Sequence, residues 1–169
     1  MAMTMAQALA ERVRSQIESG EKVLQAAGDE HHGAVFGNPA DVLNVVGNVS
    51  DVAHTNHLWL LDLLAAGVAQ GDAGPELQRA RPGSIQDAVT FLEPRETDSP
   101  DQAKAQLRRV NEKIASLVEN MSDEDLERTV DITFYGQKSV RDLLFAVIEH
   151  GALHIGQAWG ILKGKGVAG

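Results

Sequence analysis

Apolar residues recur with the three-to-four-residue spacing of helices in four stretches of this chain. Leu9, Val13, Ile17, Val23, Leu24 and Ala27 form the first stripe and predict a helix over about 5–27. Gly20 weakens it, and Gly28-Asp29-Glu30-His31-His32-Gly33 breaks it, where a glycine-flanked loop should turn the two histidines apart into solvent. Asn38-Pro39-Ala40-Asp41 predicts the next start, with a capping Asn, Pro at the first helical position and an acid in the first turn. That second helix is expected over 39–66, stopping at Gly67, with Val42, Val45, Val46, Val49, Val52, Ala53, Asn56, Leu60 and Leu63 facing inward. Asn48 flanks this stripe on one side and His57 on the other, His54 points largely away, and Trp59 at the edge reads as core or pocket wall.

The period lapses from Gln70 to Pro100, where Gly71, Gly74-Pro75 and Pro82-Gly83 interrupt the chain and Ser84-Ile85-Gln86-Asp87 opens at most one or two turns. A connection this long suits a crossover, and such loops often line sites. Ser99-Pro100-Asp101 then opens a helix over 100–120, with Ala103, Leu107, Val110, Ile114, Leu117 and Met121 in near-perfect alternation of four and three. Ser122-Asp123-Glu124-Asp125 lacks the alternating ligands and closing Glu of a calcium loop and reads as a short helix start. Val130, Ile132 and Phe134 alternate with polar residues, an extended strap ending at Tyr135-Gly136-Gln137. Ser139 and Asp142 form a capping box for a last helix over 140–163. Four long helices, each with one apolar stripe, must bury those stripes on each other, so the pattern predicts an all-α protein, a four-helix bundle forming one domain over 1–169.

The last helix changes the picture from fold to chemistry. Continuing its stripe by fours and threes from Leu143 gives Val147, His150, His154, Gln157 and Ile161. Polar groups buried there without partners would cost roughly 1–3 kcal/mol each. Side chains at i and i+4 share a helix face, so His150 and His154 can converge on one metal ion; otherwise they are core histidines hydrogen-bonded to carbonyls or water. The chain has no cysteine, which removes disulfides, thiolate ligands and cysteine nucleophiles and leaves imidazole, carboxylate, amide or water to hold any ion. Only 4% of residues are aromatic, so Leu, Val, Ile and Ala must build the core. No apolar run reaches the ~18 residues of a membrane span. Met1 to Gln16 reads as a helix start and not as a signal peptide, so cytoplasm is the expected location. No Ser/His/Asp arrangement or paired-carboxylate motif stands out, and Gly164-Lys165-Gly166 is a helix stop, not a phosphate loop.

With the helices placed, the chain resembles the DinB/YfiT-like superfamily of bacterial four-helix metalloproteins. His150-Gly151-Ala152-Leu153-His154-Ile155-Gly156-Gln157 is similar to that family's H-x-x-x-H-x-G-Q segment, and Val46-Gly47-Asn48-Val49-Ser50-Asp51-Val52 resembles its helix-two segment, followed by Trp59. The resemblance implies a bundle in up-down-down-up order with a long connection between helices two and three, usually a homodimer. It further implies one divalent ion, zinc or nickel, held by one histidine from helix two and two from the last helix. His150 and His154 match those positions directly, and Asn48 stands where the family has the helix-two histidine, with His57 and His54 as weaker substitutes. The expected metal set is therefore His150, His154 and Asn48, with Asp51 and Glu149 as proton-handling groups or solvated faces. Two function classes follow: a metal-dependent enzyme acting on a small molecule by thiol transfer, isomerisation or hydrolysis, or a bundle with a degenerate site that binds a small ligand or partner without chemistry.

The formal charge of −9 repels phosphate backbones and argues against nucleic acid as a partner. Fluorescence anisotropy with labelled duplex DNA at neutral pH should detect no submicromolar, salt-sensitive binding; such binding would refute this reading of the charge.

Overall fold

In the computed structural model, residues 2–35, 43–68, 74 and 77–167 are described. They are mostly helical, with one two-stranded antiparallel sheet. Helix α1 spans Met5–His31 and opens on a capping box in which the Thr4 side chain accepts from Gln7 N and the Gln7 side chain accepts from Thr4 N. Gly28 leaves helical geometry at φ 52°, the break expected from its glycine-acid loop. Helix α2 spans Val45–Ala65 and is capped by Asn44, whose side chain accepts from Gly47 N at 2.6 Å. The helix therefore begins later than the expected 39; the Asn38-Pro39-Ala40-Asp41 start and Val42 lie outside the described residues. Helix α3, Ile85–Leu92, and a 3-10 turn, Glu93–Glu96, occupy the long connection.

Helix α4, Pro100–Val118, starts at the Ser99 box as its sequence predicts. The acidic Ser122 segment caps the short helix α5, Asp123–Glu127. The expected strap is half of a hairpin: β1, Thr129–Ile132, pairs antiparallel with β2, Gly136–Ser139, through Val130 opposite Lys138 and Asp131 opposite Gln137. Helix α6, Val140–Gly164, follows at once from its Ser139–Asp142 box. Among the described residues no helix is long and apolar enough to cross a membrane.

The long helices pack α1 on α4 and α6, and α2 on α4 and α6. Their core divides into two apolar clusters. Leu9 and Val13 meet Leu60, Leu63, Val110, Ile114, Leu143 and Val147 in one. Val23 and Leu24 meet Val49, Val52, Ala103, Leu107, Ile155 and Ile161 in the other. Gly20 serves the second cluster: a Cβ there would stand 2.6 Å from Leu107 Cδ2, so the residue that weakens α1 as a helix admits α4.

Amides lie between the clusters. Asn111 donates to Val13 O and Gln16 Oε1, both at 3.0 Å, and accepts from Asn56 Nδ2 at 2.9 Å. Gln16 in turn donates to the α6 carbonyls of Val147 at 2.9 Å and Ile148 at 3.2 Å.

Two periodicity readings need correcting. The sequence gives α2 one apolar stripe, yet every residue from Val45 to Leu63 is buried, because the connection packs over its polar side: Leu58 and Leu61 lie under Ala88, Phe91 and Leu92. In α6 the buried row runs Val147, Gly151, Ile155 and Ala158, so His150 and His154 stand half-buried at its flank and Gln157 is exposed. Gly151 takes the inward place because a Cβ there would overlap the Gln16 amide.

Replacing Gly151 with Ala should displace Gln16 from Val147 and Ile148 and lower stability in urea unfolding by about 1–3 kcal/mol. In a Gln16→Ala background the same change should be neutral or stabilising, by up to ~1 kcal/mol of helix propensity. Equal costs in both backgrounds would show that the amide does not set this contact.

Candidate metal centre

Asp51 sits on α2 between Val49 and Val52 and is 3% exposed, not on a solvated face. Across from it, α6 presents His150 and His154 one turn apart. Asp51 Oδ2 lies 3.1 Å from His150 Nε2 and 3.3 Å from His154 Nε2. One ligand atom from each of these residues lies within 4.8 Å of the others, a group able to hold a metal ion. The imidazoles converge as the i, i+4 spacing requires, their ring centroids 4.5 Å apart.

Asn48 joins the cluster through the other nitrogen of His154. Its Oδ1 lies 3.0 Å from His154 Nδ1, while its Nδ2 donates to the carbonyls of Leu43 and Asn44, both at 2.9 Å. Those two carbonyls fix the orientation of the amide, because only its nitrogen can donate to them. His154 must then carry its proton on Nδ1, which leaves Nε2 of the neutral ring as a bare lone pair facing a carboxylate oxygen. Two acceptors in contact need a cation between them, either a proton or a metal ion.

Burial pulls His154 below the ordinary histidine value, against the charge of Asp51, with His150 and Arg95 acting in the same direction as burial. Burial pushes the Asp51 carboxyl up, but the hydrogen bond from His150 and the charges of His154, His150 and Arg95 outweigh it and hold the group below its ordinary value. One carboxylate oxygen and two imidazole nitrogens facing one another form a donor set that a divalent cation fits. A metal-bound histidine whose second nitrogen is anchored by a neighbouring oxygen is also a recurring arrangement.

Arg95, from the 3-10 turn, donates to the second Asp51 oxygen at 2.6 Å. The cluster opens on a cleft of about 390 Å³. Asp51, Arg95, His150 and His154 form its polar side, and Trp59, Leu92, Phe134 and Tyr135 line the rest together with Leu43 and Thr55. Trp59 meets His150 edge-on at 5.4 Å between centroids and is pocket wall, as its place at the stripe edge suggested.

His57, His54 and His32 are engaged elsewhere. His57 lies 2.9 Å from Leu77 O and 3.1 Å from Gln106 Nε2, so both ring nitrogens have partners. His54 lies 2.8 Å from Asp98, whose carboxylate also accepts from Ser50 Oγ. His32 contacts Leu24 O at 3.2 Å, and Glu149 is exposed. The ligand expectation thus brings His150 and His154 together and places Asn48 behind His154. It did not select Asp51 as a ligand or include Arg95. Asp51 had one readable signal, its place next to Val52 and one turn after Asn48 on the same helix. Arg95 had none, since it belongs to a stretch without period.

Below the cleft, Asp62 is 1% exposed and binds Arg81 Nε at 2.6 Å, Thr133 N at 2.7 Å and Thr133 Oγ1 at 3.0 Å. This carboxylate fastens both the connection and the β1–β2 tip to α2.

The family profile of the DinB superfamily matches residues 50–158, a span that includes Asp51, the hairpin and both α6 histidines. No curated protein and no solved structure matches the chain at a significant level.

His57, like His154, is held below the ordinary histidine value, chiefly by burial, with the Leu77 hydrogen bond opposing. Below pH 6.5 the unfolded chain therefore takes up protons that these two groups refuse in the folded state, so stability must fall as pH falls. Urea midpoints of chelator-treated protein should drop between pH 6.5 and about 5, with a shallower slope in His57→Gln. A flat or rising profile in the unsubstituted protein would contradict the assignment.

Proposed function

The chain belongs to the DinB superfamily, and from that premise and the Asp51–His150–His154 geometry we propose that it is a metal-dependent enzyme acting on a small molecule. The single observation that carries the reading is the contact between two acceptors, Asp51 Oδ2 and His154 Nε2, which the Asn48–His154 hydrogen bond enforces. Asp51, His150 and His154 would hold one divalent ion, zinc or nickel. When bound, such an ion supplies Lewis acidity and lowers the pKa of a water or thiol. Thiol transfer, isomerisation and hydrolysis are the reaction classes open to that chemistry.

The protein's own groups have separable parts in this reading. Asn48 orients His154 and fixes its tautomer. Arg95 holds the Asp51 oxygen that faces away from the histidines. The long connection contributes Leu92 and Arg95 to the wall of the cleft in which the substrate would bind.

For the fold we propose a four-helix bundle in up-down-down-up order. The two core clusters support it. The early part of α1 shares a cluster with the late parts of α2 and α4 and the early part of α6, and the opposite ends share the other. Helices α1 and α6 then run one way and α2 and α4 the other.

One observation favours a second reading. The Arg95 guanidinium at 2.6 Å already supplies Asp51 with a positive partner, which a degenerate, non-catalytic ligand-binding bundle would need. Metal analysis and zinc calorimetry on protein made without a histidine tag separate the two. One zinc per chain is expected, lost in Asp51→Asn and in His154→Ala. Asn48→Leu should weaken binding about 10–100-fold without abolishing it, the effect of losing an orienting partner. Loss in Asn48→Leu as complete as in His154→Ala would make Asn48 a ligand. Absence of zinc binding in the unsubstituted protein would leave the non-catalytic reading.

A further inference from the structure

We propose that the β1–β2 tip is a specificity element: Phe134 and Tyr135, with Trp59, form an aromatic wall that selects a substrate with a planar apolar body beside its metal-directed group. The inference rests on the metal reading above. Its starting point is an outlier: among the described residues, Phe134 is the one non-glycine with positive φ, at 76°. Bulky side chains rarely adopt that conformation, and a hairpin tip that needs it would ordinarily carry Gly or Asn.

Hairpin stability does not account for the choice. Phe134 is 42% exposed and Tyr135 55% exposed, so neither ring is buried in the core. The surroundings nevertheless impose the conformation. Thr133 is pinned to the buried Asp62 through both its N–H and its hydroxyl, and Arg81 braces the same carboxylate while donating to Asp131 O at 2.9 Å. The backbone must turn within the next residue, which sets both aromatic rings against the cleft that contains His150 and His154. Strain retained by a built clamp next to a candidate site is a sign of function.

The rings also continue into the site. Tyr135 lies 6.0 Å from Trp59 between centroids, and Trp59 lies 5.4 Å from His150. A molecule bound at the histidines by a polar head would lay its body along this row. Aromatic surface pairs with an aromatic body through offset or edge contacts, a preference that a plain aliphatic wall would not give.

Acetohydroxamate and benzohydroxamate test the wall, because both bind a metal through the same head and differ in the ring. Calorimetry on the zinc-loaded full chain should show benzohydroxamate bound about tenfold more tightly than acetohydroxamate. In Phe134→Gly/Tyr135→Ala that preference should shrink below about threefold while acetohydroxamate affinity stays unchanged. Glycine relieves the positive φ, and retained zinc stoichiometry reports that the variant is folded. Equal binding of the two hydroxamates, or a preference unchanged in the variant, would overturn the wall and leave the metal reading intact. A chain that takes up no zinc would overturn the metal reading and this inference with it.

Discussion

The buried amides of Gln16, Asn56 and Asn111 allow the four long helices few ways to fit together. Apolar stripes tolerate sliding, because one Leu or Val makes much the same contact as the next. An amide in the core does not, since a displaced donor or acceptor costs the full desolvation of the group. Asn111 ties α4 to α1 and α2, and Gln16 ties α1 to the backbone of α6 at Val147 and Ile148. That junction ends two residues before His150, so the contact that sets the register of α6 also sets the height at which its histidines face Asp51.

A second set of polar contacts converts a loop into part of the site. The outer side of α2 carries Asp51, His54, His57 and Asp62, an unpromising face for burial. The connection and the residues after it bring a partner to each: Arg95, Asp98, Leu77 O and Arg81. Ion pairing at Asp51 and Asp62 and hydrogen bonds at His54 and His57 make burial of these groups tolerable, and the apolar contacts of Leu58 and Leu61 with Phe91 and Leu92 close the remaining surface. The cleft exists because this cover stops short of the His150–His154 flank.

How much of this was legible depended on how local each signal is. The boundaries of α4 and α6 came from cap residues and unbroken spacing, which act within a turn or two, and the structure agrees with them closely. The His150–His154 pair was legible for the same reason. The burial of Asp51 was not, because it depends on Arg95, Leu92 and the α6 histidines, all distant in sequence. Asn48 was readable as a neighbour of the site but not as the partner of Nδ1, since periodicity gives a face and not an atom. Gln157 was misplaced because counting by fours and threes from Leu143 ignored Gly151, whose inward position depends on Gln16 in α1. The hairpin was half legible: alternation marks β1, whereas β2 is almost wholly exposed and carries no pattern.

The complete enclosure of α2 has a kinetic consequence. Backbone amides in a helix buried on every side exchange with solvent only when the cooperative unit around them opens, whereas a short turn held by a few side-chain contacts opens on its own. Asp51 belongs to the first kind of structure and Arg95, on its 3-10 turn, to the second. The backbone that carries the carboxylate is therefore held until the surrounding unit opens, while the guanidinium paired with it belongs to a segment that can open on its own. The centre thus joins a slow half, which holds its shape, to a fast half, which decides how often that carboxylate is without its cationic partner.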